Sequence, residues 1–289
     1  MDRETMTNEE NYSFDVAGYL HIPGTLTRVE VQRLNDTIDE IGELEGMLGW
    51  AGTAKEPFRE LLVHPALVWY LNQIMGQGFI LDRLPEIWCD QTCDTGAPLI
   101  GGNEPRDPAI AYYHQNGRRF SEGVRVLWAL EDVGEDDGGF VLLPCSHKAN
   151  VETPHDVATG EDDMGLTVQP VLKAGDLLIV ALSAAQGMRP WRGEGRQRLL
   201  NYEYVGRGVI RSVGSGPQNG AGEPRPDWHA ELDPAQRASL YKPGYPTTTP
   251  PPNIVTDGKT TRLESSREVC HPSFLQVDSE SGIDCKEFY

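Results

Sequence analysis

Short apolar runs separated by turns fill the middle of the chain, and this pattern constrains the fold more than any other feature of the sequence. Residues 123–130 (GVRVLWAL) and 138–144 (GGFVLLP) are rich in apolar and β-branched side chains and flank an acidic turn. Runs of this length, bounded by turn residues, predict β-strands. Comparable runs occupy residues 79–91, 174–182 and 196–208.

Two helices are predicted ahead of most of these strands. The first begins after Thr27, which forms a capping box with Glu30 three residues later. Apolar residues then recur at helical spacing, as in a stripe that faces a core: Val31, Leu34, Ile38 and Ile41. The second helix follows Pro65 and ends at Gly76. Helices ahead of many short strands predict a mainly β protein with flanking α-helices, arranged as a double-sheet jelly roll.

The composition divides the chain into two parts. Residues 1–213 carry the strong helix and strand patterns, and we expect one jelly-roll domain there. Residues 214–289 form a C-terminal extension rich in Pro, Gly and Thr, which predicts an extended connector. A short helix is predicted within it, where Asp233 can cap Pro234. We expect the extension to pack on the same domain, and a lid over the site is the alternative.

Charge and cysteine content limit the classes of partner. The 289 residues contain 44 acids and 25 bases, a formal net charge of −19. This excess of acids argues against binding to nucleic acid or to anionic membranes, and no apolar run approaches the roughly 20 residues that span a bilayer. The N-terminus lacks the basic start and apolar centre of a signal peptide, so we expect a cytoplasmic protein. Five cysteines, an odd number, do not make a disulfide scaffold, and the oligomeric state stays open.

A resemblance to a known family rests on the order of four stretches. Residues 128–148 contain Gly-Gly, a strand and then Pro-x-Ser-His-Lys. YYHQNGRRF (112–120) precedes this stretch, while LKAGDLLIVALSAAQG (172–187) and GRQRLLNYEYVGRG (195–208) follow it. Together they resemble the phytanoyl-CoA dioxygenase family over roughly residues 12–210. The resemblance implies a double-stranded β-helix, which is a cupin-like jelly roll, and an Fe(II)/2-oxoglutarate-dependent oxygenase that acts on a small organic substrate.

The same resemblance implies a set of metal ligands that departs from the family's pattern. The family's iron takes two histidines and one carboxylate. At those places this chain has His114, Asn116 and Gln186, so two of the three ligands are neutral amides. An amide oxygen offers a dipole where a carboxylate offers a full charge, and iron is therefore expected to bind weakly, with 2-oxoglutarate adding two oxygens. The alternative is a metal-free protein on the same fold that binds a small acid or catalyses a non-redox step.

Arg198, and after it Arg196, are the expected anchors of the distal carboxylate of 2-oxoglutarate. They share one face of a strand, and we expect that face to point inward, with a surface position as the alternative. The predicted substrate contacts are aromatic or basic residues close to these strands, with core packing as the alternative for the aromatic ones: Tyr112, Trp128, Arg189 and Trp191. Three acidic residues are alternative metal ligands: Asp94, Asp107 and Glu122.

Overall fold

The computed structural model describes residues 5–88, 96–103, 107, 110–116, 118–206, 209, 226–240 and 252–264. Within these residues the chain is mainly β-sheet with flanking helices, as predicted. The helices are α1 (Asn8–Ala17), α2 (Arg28–Ile41), α3 (Glu56–Leu62), α4 (Pro65–Ile74), α5 (His155–Thr159) and α6 (Pro234–Ser239). The strands are β1 (Tyr19–Ile22), β2 (Phe79–Trp88), β3 (Ala97–Ile100), β4 (Tyr112–Gln115), β5 (Arg118–Ser121), β6 (Gly123–Ala129), β7 (Gly139–Leu142), β8 (Leu177–Ala181), β9 (Gln186–Arg189), β10 (Leu199–Gly206), β11 (Asn253–Thr256) and β12 (Thr261–Glu264).

Two antiparallel sheets face each other. The main sheet has five strands in the order β1-β8-β6-β10-β2, and the second sheet has three in the order β3-β9-β7. Side chains of β6 alternate between two cores: Val124, Val126 and Trp128 pack beneath the helices, whereas Leu127 and Ala129 join a smaller core shared with the second sheet. The face that carries Leu127 and Ala129 therefore lines the space between the sheets, called the interior below.

The predicted helix starts are present. At α2 the Glu30 amide donates to Thr27 Oγ1, and the Thr27 amide donates to the Glu30 carboxylate at 2.7 Å. The predicted apolar stripe of α2 is buried except at its last residue, Ile41. A second capping box, between Thr7 and Glu10, begins α1, a helix that the sequence analysis did not predict. None of the helices in the described segments combines the length and the apolar character that crossing a bilayer demands.

Two described segments of the C-terminal extension pack into the larger core. Leu232 and Leu240, on either side of α6, are buried there together with Ile254 of β11. Asp233 caps α6 as predicted, since its carboxylate accepts from the Gln236 amide at 2.8 Å. Much of the remaining extension lies outside the described residues, so the boundary between the two parts and the lid alternative stay predictions.

Candidate functional site

Gln186 begins β9 and faces the interior. In the second sheet it is opposite Ile100 of β3 and Leu142 of β7. Its side chain shares a face with Met188, which packs on the smaller core, and only 3% of the residue is exposed. Its Nε2 donates to the Ala184 carbonyl at 3.3 Å, whereas its buried Oε1 has no hydrogen-bond partner among the described residues. Gln186 thus presents an unsatisfied acceptor inside the fold.

His114 and Asn116 lie on a separate hairpin formed by β4 and β5. The ladder pairs Gln115 with Arg118, and Asn116 lies in the turn after Gln115. In the sequence Asn116 is followed by glycine, and Asn-Gly is typical of a two-residue hairpin turn. Asn116 has a φ of 53°, the left-handed conformation that the first position of such a turn requires. His114 and Asn116 are both exposed, and it is β3, not β4, that pairs with the strand of Gln186. The three expected ligands therefore come from two different sheets, and their meeting at one metal stays a prediction.

The ladder partners of Gln186 supply none of the ligands of the iron centre that the resemblance implies. That centre takes two imidazoles and a carboxylate, yet the residues opposite Gln186 in both ladders, Ile100 and Leu142, are aliphatic. Among the described residues, no three His, Cys, Asp or Glu side chains are grouped as metal ligands. The alternative ligands Asp107 and Glu122 therefore belong to no such group, and Asp94 lies outside the described residues.

The two arginines expected to bind 2-oxoglutarate point away from the interior. Arg198, only 1% exposed, donates to Asn35 Oδ1 and to Asp39 Oδ1 at 2.9 Å each, both on α2. Arg196 donates to Asp39 at 2.7 Å and to Glu131 at 3.1 Å. Hydrogen bonds from Arg196 and Arg198 lower the pKa of Asp39 to about 2. The predicted inward orientation is therefore wrong, and both arginines instead link α2 to the main sheet.

Gln197, between these arginines, takes the inward position. Side chains alternate along extended backbone, and Leu199, two residues later, belongs to the core between the sheets. Gln197 is fully buried, and neither its Oε1 nor its Nε2 has a hydrogen-bond partner among the described residues. Gly139, at a φ of 76°, leaves room for it, since a Cβ there would lie 2.0 Å from Nε2. The sequence carries no signal for this parity, because Leu199 and Leu200 are both apolar.

A row of charged side chains crosses the interior face of the main sheet. Arg83, Glu203 and Arg125 are ladder partners on β2, β10 and β6. Arg125 forms an ion pair with Glu203 and lies over the ring of Trp88, 4.5 Å from its centroid. Arg83 Nε lies 3.7 Å from a Glu203 oxygen. Asn201, two residues before Glu203, is 2% exposed, and its Oδ1 has no hydrogen-bond partner within the described part of the chain. The sequence does not predict this row, because each of its polar residues stands among apolar residues in a different strand.

The four predicted substrate contacts divide into two groups. Tyr112 is buried and donates from its hydroxyl to Asp15 at 2.6 Å, and burial raises its pKa well above the usual value. Trp128 is fully buried beneath the helices, on the face of β6 that points away from the interior. Both are core residues. Trp191 packs in the core between the sheets and Arg189 is half-buried at the end of β9, so these two stay candidates for substrate contact.

Solved structures share this fold at low sequence identity. HygX from Streptomyces hygroscopicus, solved with nickel and 2-oxoglutarate, is 22% identical with a TM-score of 0.64, covering 77% of this chain and 98% of that one. SnoN, a non-heme α-ketoglutarate-dependent epimerase from nogalamycin biosynthesis, is 15% identical with a TM-score of 0.50, covering 69% and 82%. The non-heme monooxygenase ThoJ, in a nickel complex, is 14% identical with a TM-score of 0.52, covering 75% and 88%.

A sequence match settles the family. No match is found among curated proteins. The sequence profile of the phytanoyl-CoA dioxygenase family matches residues 14–185, more than half of the 289 residues. The match begins within α1 and ends at the residue before Gln186, so it includes β1 to β8 and leaves out β9 and β10. The chain therefore belongs to the phytanoyl-CoA dioxygenase family.

Proposed function

We propose that this chain is a metal-independent, small-molecule-binding member of its family, built on a double-stranded β-helix. The observation that carries the proposal is the set of side chains at the start of β9. Gln186 is an amide, and the residues opposite it, Ile100 and Leu142, have no atom that can bind a metal. One amide is a weak ligand for Fe(II), which prefers imidazole and carboxylate together.

The interior nevertheless stays polar, which supports ligand binding over simple loss of function. Gln186, Gln197 and Asn201 each bury at least one hydrogen-bonding atom that has no partner among the described residues. Each such atom costs about 1–3 kcal/mol of stability. Apolar side chains of similar size would avoid this cost. A small organic ligand that forms hydrogen bonds to these amides would remove it on binding.

The rival function is an Fe(II)/2-oxoglutarate-dependent oxygenase with an atypical metal site. Family membership supports it, as do related folds solved with iron, or with nickel and 2-oxoglutarate. It requires His114, Asn116 and Gln186 to meet and Arg198 to turn inward. Because Arg198 is buried in contacts with α2, that rearrangement would break the packing of the helix on the sheet.

Metal content and cofactor turnover separate the two functions. Protein purified without chelator is analysed for iron, nickel and zinc by mass spectrometry, and succinate release from 2-oxoglutarate is measured in air with added Fe(II). The proposal predicts metal far below one equivalent, no succinate above the buffer control, and a melting temperature that EDTA does not change. Stoichiometric iron, or succinate release that depends on 2-oxoglutarate, would refute the proposal in favour of the rival.

A further inference from the structure

The tip of the β4–β5 hairpin is exposed and stands apart from both sheets. Tyr112, at the start of β4, is buried and bound to Asp15, whereas every residue from Tyr113 to Asn116 is exposed. Within the described part of the chain, β4 and β5 pair only with each other. Exposed loop tips open locally at little cost in free energy. The turn at Asn116 can therefore leave its folded geometry while the rest of the domain stays folded.

The residue after Asn116 makes the side-chain amide of Asn116 chemically labile. Asparagine is among the thermolabile residues, because the backbone nitrogen of the next residue can attack its side-chain carbon Cγ. A Cβ on that next residue obstructs the attack. Asn116 is followed by Gly117, and glycine has no Cβ. An exposed turn and an unhindered nitrogen therefore coincide at this position.

Asn150 is a matched comparison within the same chain. It is exposed like Asn116, but the next residue is the β-branched Val151. The two asparagines thus share their exposure and differ in the residue that supplies the attacking nitrogen. A second Asn-Gly pair, at residues 219 and 220, lies outside the described residues, so any measurement has to separate it from Asn116.

We propose that Asn116 is a site of spontaneous deamidation. The deprotonated backbone nitrogen of Gly117 forms a bond to Asn116 Cγ, the bond from Cγ to Nδ2 breaks, and ammonia leaves a cyclic imide behind. Water then opens the imide. Addition of water at Cγ gives aspartate, whereas addition at the main-chain carbonyl carbon of residue 116 gives isoaspartate, in which the chain continues through Cγ. Each event consumes one water and releases one ammonia, and no oxidant or reductant takes part.

Both products place a new carboxylate at the tip of the hairpin. It lies two residues after His114, at the position where the family resemblance expects an acid. Isoaspartate also lengthens the turn by one backbone atom. Because turn length fixes the register of a hairpin, this product should loosen the pairing of Gln115 with Arg118. The modification concerns the covalent state of the hairpin and is independent of the proposed function.

Peptide mapping of the aged full chain tests the proposal. The protein is kept near neutral pH at physiological temperature, sampled over weeks and digested with trypsin, with a fresh sample as the reference. Asn116 is the only asparagine in the tryptic peptide 107–118, and Asn150 is the only one in 149–173. The first peptide should gain the mass difference between an amide and an acid and separate into aspartyl and isoaspartyl forms. The second should stay unchanged. Asn116 that remains an amide for as long as Asn150 would overturn the proposal.

Two further comparisons test the mechanism and the role of the turn. In guanidinium chloride, where folded geometry no longer matters, Gly117→Ala should deamidate several-fold more slowly than wild type, because it adds a Cβ beside the attacking nitrogen. Equal rates would refute the mechanism. In buffer, folded wild type should react within about tenfold of its rate in guanidinium chloride, because the turn opens locally. Stronger protection than this would show that the hairpin shields Asn116 and would overturn the assignment.

Discussion

Replacing Arg198 tests its reassignment from ligand anchor to structural link. Arg198→Met keeps most of the apolar stem and removes hydrogen bonds to Asn35 Oδ1 and Asp39 Oδ1, each 2.9 Å long. Hydrogen bonds that involve a charged group contribute about 1.5–3 kcal/mol each. The Asp39 side chain is 48% exposed and keeps Arg196, so its contribution falls below that range. We expect the free energy of unfolding to decrease by about 3 kcal/mol.

Urea unfolding followed by far-UV circular dichroism measures this difference. Arg262→Met is the control, because Arg262 is half exposed and its ion pair with Glu264 lies on the surface; it should change stability by less than about 0.5 kcal/mol. Unchanged stability in folded Arg198→Met would refute the reasoning and reopen a role for Arg198 in ligand binding.

Three other positions carry predictions of their own. Burial lowers the pKa of His147 from 6.5 to about 4, so between these pH values the unfolded chain binds more protons than the folded protein. The free energy of unfolding, measured by urea titration, should therefore fall by about 3 kcal/mol from pH 7 to pH 4. The same pH dependence in His147→Gln would contradict this assignment. Gly139→Ala should lower the melting temperature measured by scanning calorimetry, because the added Cβ would collide with the side-chain amide of Gln197. An unchanged melting temperature would show that the Gln197 amide does not lie against Gly139. Asn116 has a φ of 53°, which a β-branched side chain rarely adopts and glycine adopts freely. Asn116→Val should therefore speed hydrogen exchange of the backbone amides in the β4–β5 hairpin, whereas Asn116→Gly should not. Equal exchange rates in the two variants would argue against the turn.

Local signals predicted most elements of the fold. The capping box of Thr27 with Glu30 marks the start of α2, and apolar runs mark β6, β8 and β10. Two further local signals agree with the structure. One is the second capping box, between Thr7 and Glu10, which begins α1. The other is Asn116-Gly117, which predicts a hairpin turn and so conflicts with a metal ligand at Asn116.

The candidate site depended on information that local signals do not contain. Gln186 was identified from the sequence because the strand before it is unmistakable. Its neighbour Ile100 was not, because pairing between β3 and β9 joins residues far apart in the chain. The orientation of Arg198 cannot be read from its strand. Arg198 shares its parity with the apolar residues Leu200, Tyr202 and Tyr204, and only the structure shows that this face packs beneath the helices and not on the interior.

A pair of designed histidines makes the test of metal binding specific to the structure. Leu142→His with Gln186→His places two imidazoles on directly opposed residues of the β7–β9 ladder, where Cβ atoms lie about 4.5–5.5 Å apart. Asn116→Asp with Gln186→His is the matched control, because it restores the ligands that the sequence resemblance alone would choose. The first variant should bind Fe(II), and the second should not.

An anaerobic calorimetric titration of Fe(II), with 2-oxoglutarate present, tests the central claim most directly when wild type and both double variants are compared. Metal-independent function predicts no saturable heat for wild type and for Asn116→Asp/Gln186→His, and saturable binding for Leu142→His/Gln186→His. Saturable Fe(II) binding by wild type at one equivalent, or by the Asn116→Asp control, would contradict the account.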